Sequence, residues 1–211
     1  MEQNRAFENI EKWLPEREDT EGVYGIPIIQ PVREVPQVQT WRRFCSLKSE
    51  GVNEQMGIHF FIQDYQFQRV WLQPDKYVPL LQKAACVLSP DFSMYTDMPM
   101  AMQMYNHYRK HWLAAYWQMR GLRVIPTISW SDKSSHAWCF DGEPRGGVVA
   151  VSSVGSQRRA DTRQLFLAGY RAMMDTIQPS AVLFWGSVPP ECEGNIIPVQ
   201  PDYNYERNRR E

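Results

Sequence analysis

The chain repeats one event five times: an apolar, strand-like run ends in a short cluster of polar, acidic and aromatic residues. The runs are His59-Phe60-Phe61-Ile62-Gln63-Asp64-Tyr65, Cys86-Val87-Leu88-Ser89-Pro90-Asp91-Phe92-Ser93, Val124-Ile125-Pro126-Thr127-Ile128-Ser129-Trp130, Val148-Val149-Ala150-Val151-Ser152-Ser153-Val154-Gly155 and Ala181-Val182-Leu183-Phe184-Trp185-Gly186. Helical stretches or long loops separate them. Strands that alternate with helices need crossover connections, which restricts the chain to α/β folds with a mostly parallel sheet. Such sheets hold their ligands outside the carboxyl ends of the strands. If the strands lie side by side, their polar endings meet in one crevice.

The 211 residues suit one domain, long enough to bury a core without disulfides or metal. Hydrophobic residues make up 43% and charged residues 22%, a globular balance, and the net charge of −1 supplies no global basic field for nucleic acid. Cysteines 45, 86, 139 and 192 form no CxxC pattern, and Cys86 reads as a small buried apolar residue. Residues 1–12 are charged without an apolar signal core, and no run approaches the length of a membrane span. A soluble cytoplasmic protein with no membrane partner is expected; the oligomeric state is left open.

The expected architecture is a single α/β domain with a central, mostly parallel sheet of about five strands flanked by helices. Residues 1–56 would form an N-terminal helix and an extended, Pro-rich arm packed on the core, 57–188 the α/β core and 189–211 a C-terminal tail on the surface. The first helix is read around Phe7, Ile10, Trp13 and Leu14, and residues 41–56 are ambiguous. Helices are expected after Pro74, over about 98–120 with Tyr105, Tyr108, Trp112 and Tyr116 on one face, and over about 160–177. The strand pattern does not choose between an open sheet and part of a barrel. An open sheet is favoured because eight strand–helix units do not fit easily in this length.

The segment Gly57 to Gly186 resembles the bacterial and phage family known as domain of unknown function 4417. The resemblance is carried by Gly57-Ile58-His59-Phe60-Phe61-Ile62-Gln63-Asp64-Tyr65-Gln66-Phe67, Val87-Leu88-Ser89-Pro90-Asp91-Phe92-Ser93-Met94-Tyr95-Thr96-Asp97-Met98-Pro99, Val124-Ile125-Pro126-Thr127-Ile128-Ser129-Trp130 and Phe184-Trp185-Gly186. It implies a gene often carried on phages and mobile elements, and supplies no settled activity or catalytic residues.

Chemistry must therefore come from the residues. Asp64, Asp91 and Asp97 are the catalytic candidates. Carboxylates on neighbouring strands about 4.8 Å apart fall in the range used for two-carboxylate glycoside chemistry. The bland alternative is that they cap turns and helices. Tyr65, Phe92, Tyr95, Ser129, Trp130 and Trp185 are candidate contacts to a planar base or sugar face, against the alternative that the aromatic rings cover the sheet ends. The loop 152–159, with Ser153, Arg158 and Arg159 before a helix, suits a phosphate, although it carries no nucleotide-binding fingerprint.

His107 and His111 share a helix face, but a zinc site would need a third ligand that no His-Glu-x-x-His pattern supplies. No metal and no cofactor are expected. These features combine into a hydrolase of a glycosidic bond in a nucleobase-containing substrate, such as a DNA glycosylase removing modified bases from phage DNA. The alternatives are a non-catalytic nucleic-acid or nucleotide binder, and an interaction protein docking through its arm or its Tyr203-Asn204-Tyr205 tail.

Overall fold

A computed structural model describes residues 19–199. The helix read around Phe7–Leu14 and the tail beyond 199 lie outside them. A two-residue hairpin pair, β1 (Thr20–Glu21) and β2 (Ile26–Pro27), precedes seven strands: β3 (Thr40–Arg43), β4 (Met56–His59), β5 (Cys86–Leu88), β6 (Val124–Ile125), β7 (Val148–Ser152), β8 (Ala181–Trp185) and β9 (Ile196–Val199). Between them run α1 (Leu47–Glu50), α2 (Arg69–Leu72), α3 (Pro74–Leu81), α4 (Met100–Met119) and α5 (Ala160–Ile177).

All strand pairs from β3 to β6 and from β7 to β9 are parallel, in chain order. The two groups meet where Thr127 bridges Ala150 in parallel, with Ala150 donating to the Pro126 carbonyl and Ile128 to the Ala150 carbonyl. The parallel α/β sheet is as expected, and two strands beyond the five extend it: β3 from the ambiguous segment and β9 from the tail. A doubly wound open sheet reverses its strand order at a switch point; this one never does. It also curls. Trp41 on β3 packs edge-on against Trp185 on β8 with ring centroids 4.9 Å apart. Such a sequential, inward-curled sheet has the winding of an incompletely closed barrel, and the expectation of an open sheet is corrected accordingly.

Period-two alternation explains the layers. Cys86, Leu88, Ile125, Val148, Ala150, Ala181, Leu183 and Trp185 fill the concave face. The alternate residues point outward under two helical covers. Ile58, Val87 and Val124 pack with Trp112, Leu113 and Trp117 of α4, whereas Val149, Val151, Val182 and Phe184 pack beneath Phe166, Tyr170 and Met173 of α5. Cys86 is buried in the concave layer, as read from the sequence. The α4 and α5 bounds match the apolar spacing; the strands read at 58–63 and 123–128 are shorter because the backbone leaves the ladder at Phe60 and Pro126. Two close approaches have steric causes. A side chain on Gly57 would meet the Trp41 ring at 2.5 Å, and one on Gly169 would meet Trp130 Nε1 at 2.1 Å.

Candidate active site at the carboxyl ends of the strands

Asp64 follows β4 and Asp91 follows β5, so neighbouring parallel strands deliver both to the carboxyl edge. The Ser93 N–H donates to Asp64 Oδ2 at 3.1 Å and the Ser93 hydroxyl to Oδ1 at 2.9 Å. Asn106 on α4 holds the Ser93 carbonyl at 2.6 Å, which pins the Asp91–Ser93 turn to the helix. Arg109 lies over the Phe92 ring, 3.7 Å from its centroid, a cation–π geometry. Burial lowers the Arg109 pKa, an effect the nearby Asp64 opposes.

Asp91 is only partly exposed and accepts no hydrogen bond among the described residues. Its surroundings push its carboxyl from 3.8 up to about 7: burial raises it, the Lys110 ammonium pulls against this, and Asp64 adds to the rise. A carboxyl poised near neutrality beside a second carboxylate is the arrangement that separates acid from base. Lys110 is buried, donating at 3.0 Å to the Thr127 carbonyl and at 2.6 Å to Glu143 Oε1.

Below this edge lies a second polar group. His111 Nε2 stands 3.0 Å from Glu143 Oε1 and its Nδ1 2.9 Å from the Pro27 carbonyl. His107 Nε2 stands 3.0 Å from the Asp141 carbonyl, while its Nδ1 is buried without a partner among the described residues, as is Glu143 Oε2. Burial lowers the pKa of both histidines. Burial alone would raise that of Glu143, but Lys110 and His111 together hold it low. Ligand atoms of His107, His111 and Glu143 lie within 4.8 Å of one another. Lys110 and Glu143 escaped the sequence reading. The available signal was a polar stripe on α4, Gln103, Asn106, His107 and Lys110, whose steps of three, one and three mark one face of a helix.

The other candidates are scattered. Asp97 is exposed in the turn before α4. Tyr65 and Tyr95 are 72% and 62% exposed, flanking the acidic residues in sequence and free for stacking. Phe92 is buried beneath Arg109 and in the core. Ser129 is half-buried. Trp130, also half-buried, packs on Phe166. Trp185 lies inside the curl against Phe61 at 4.8 Å and His59 at 5.7 Å. There burial, aided by Arg43, lowers the His59 pKa to about 3. The Ser153 hydroxyl donates to the Ser187 carbonyl at 2.7 Å. Arg158 is exposed, whereas Arg159 pairs with Asp161, and Arg163 with Glu191. Of the loop's two arginines one is thus matched, as is Arg163 on the helix that follows. A cavity of about 570 Å³ lined by Glu34, Gln37, Glu54, Ala85, Val87 and Arg123 opens at the amino ends of the strands, away from the carboxylates.

The chain belongs to the family described as domain of unknown function (DUF4417), whose model matches residues 18–204. It is 34% identical over 197 residues to the Gene 1 protein of Mycobacterium phage L5, covering 91% of this chain and 83% of that protein. It is 35% identical over 188 residues to the Gene 1 protein of Mycobacterium phage D29, covering 89% and 69%. These relatives place the family among phage proteins. No solved structure matches the chain. Among the described residues no helix is long and apolar enough to cross a membrane.

Proposed function

We propose that the protein hydrolyses the glycosidic bond of a nucleobase-containing substrate, with modified phage DNA as the first candidate. The observation that carries the reading is Asp91, held near pKa 7 beside Asp64 at the carboxyl ends of adjacent strands. Protonated Asp91 donates its proton to the departing base as the C1′–N bond breaks. Asp64 faces the positive charge that develops on the sugar. Water then adds to C1′ and returns a proton to Asp91, which completes the hydrolysis and restores the acid. Tyr65 and Tyr95 supply exposed rings for stacking on the extruded base, and Arg109 adds positive charge near Asp64. The acid role requires the rate to fall as pH rises through about 7.

The test incubates purified protein with modified and unmodified DNA and scores abasic sites. Base release that Asp91→Asn lowers by about 100-fold or more, and that Asp64→Asn also lowers, supports the reading. No release from any of these DNAs, or release indifferent to both substitutions, overturns it.

A further inference from the structure

We propose that His107, His111 and Glu143 form a buried binding site for a first-row divalent metal ion, with zinc as its natural occupant. The site joins α4 to the loop that precedes β7 and adjoins the proposed acid through Lys110, which pairs with Glu143 and bears on Asp91.

The argument begins with the outer contacts. A metal-binding imidazole usually donates its remaining N–H to a carbonyl or carboxylate, which fixes the ring and leaves the other nitrogen's lone pair for the metal. His107 Nε2 is 3.0 Å from the Asp141 carbonyl and His111 Nδ1 2.9 Å from the Pro27 carbonyl. Each ring therefore has a carbonyl acceptor on one side, which leaves His107 Nδ1 and His111 Nε2 as the candidate ligand atoms. His107 Nδ1 is buried with no partner among the described residues. His111 Nε2 stands 3.0 Å from Glu143 Oε1, so with Nδ1 donating to Pro27 the neutral ring would face that oxygen with a lone pair and the protonated ring with an N–H. This contact is an ion pair when the ring is protonated, and a metal ion taking Nε2 would stand in for that proton.

The carboxylate completes the set. Glu143 Oε1 receives Lys110 at 2.6 Å, and Oε2 is buried with no partner among the described residues. Lys110 can keep its oxygen while the metal takes the other. The three candidate ligand atoms lie within 4.8 Å of one another, and all three residues are at least nine-tenths buried. Two imidazoles and one carboxylate at that separation can contract onto bonds of about 2.0–2.2 Å. A nitrogen-rich borderline donor set favours zinc and its neighbours over magnesium or calcium, which prefer oxygen. Burial makes the ion a staple rather than a reagent: it ties the middle of α4 to residues 141–143, which arrive only after β6.

The test uses the full chain. Metal content is measured on protein purified without chelator; the protein is then stripped and titrated with Zn²⁺ and, separately, Co²⁺. The expected result is about one equivalent of bound metal, a higher Tm with Zn²⁺, and Co²⁺ visible bands of a nitrogen–oxygen site. His107→Ala and Glu143→Gln should each weaken Co²⁺ binding by about 100-fold or more. A wild-type chain that stays folded yet binds neither ion at micromolar concentration overturns the proposal. So do Co²⁺ bands that survive both substitutions, because the ion would then sit elsewhere. Should the variants fail to fold, the wild-type spectrum still decides, since cysteine ligands would add an intense sulfur charge-transfer band.

Discussion

Asp91 shows what a buried carboxyl costs its fold. Its carboxyl has a pKa of about 7 in the folded protein against an ordinary 3.8, so folding favours the protonated form. A raised pKa contributes stability below the unfolded value and loses it as pH rises through the folded one. Between pH 3.8 and 7 the native state is therefore progressively penalised, by at most about 4 kcal/mol at 1.36 kcal/mol per pKa unit. Asp91→Asn, which cannot ionise, should raise stability at pH 8 by about 2–4 kcal/mol and leave it nearly unchanged at pH 4. Urea denaturation at the two pH values measures this; equal shifts at both would refute the environment assigned to Asp91. The same residue shows how far sequence reaches. The Ser-Pro-Asp-Phe-Ser cluster marked Asp91 as a strand-end acid beside Asp64. Lys110, which opposes the rise in its pKa, comes from a helix face whose nearest sequence signal was a pair of histidines.

Elements were legible where one period dominated. The strands β7 and β8 and the helix α5 carry uninterrupted apolar spacing, and their bounds follow it. β3 was hidden because Thr40-Trp41-Arg42-Arg43 is half-buried along its length, so polar and apolar residues do not alternate cleanly. β9 was hidden by Pro198, a residue that sheets admit on edge strands, and β9 ends the order β7-β8-β9. On α4 the aromatic face drew attention, yet the face against the strand ends is polar. Helix α5 offers a direct test of packing. Alanine at Gly169 gains about 1 kcal/mol in helix propensity, but its methyl would overlap Trp130, and overpacking costs about 1–3 kcal/mol. Gly169→Ala is therefore expected to lower the urea midpoint with an unchanged slope. A raised midpoint would mean that Trp130 yields freely.

At the scale of the molecule, the strands follow one another in chain order, so every added unit extends the sheet at one side. The last unit among the described residues is β9, whose register with β8 runs from Val182–Ile196 to Trp185–Val199. Cutting the chain after residue 188 strips the outer hydrogen bonds from β8 and removes the Glu193 carbonyl that Tyr170 uses at 2.9 Å. This truncation should abolish cooperative unfolding and promote association through the exposed β8 edge; a soluble, cooperatively folding product would show that β9 is dispensable.

The ion pair between Lys110 and Glu143 has a consequence for how the chain is made. Its partners are 33 residues apart, and the lysine is the first to leave the ribosome. At 5–20 residues per second, roughly 2–7 s separate the two. During that interval α4 can coil, but its ammonium must stay hydrated, because seating it against the sheet without Glu143 would strand a charge in the interior. The late acidic residue thus acts as a timer, delaying docking of the longest helix until the loop that secures it has been synthesised.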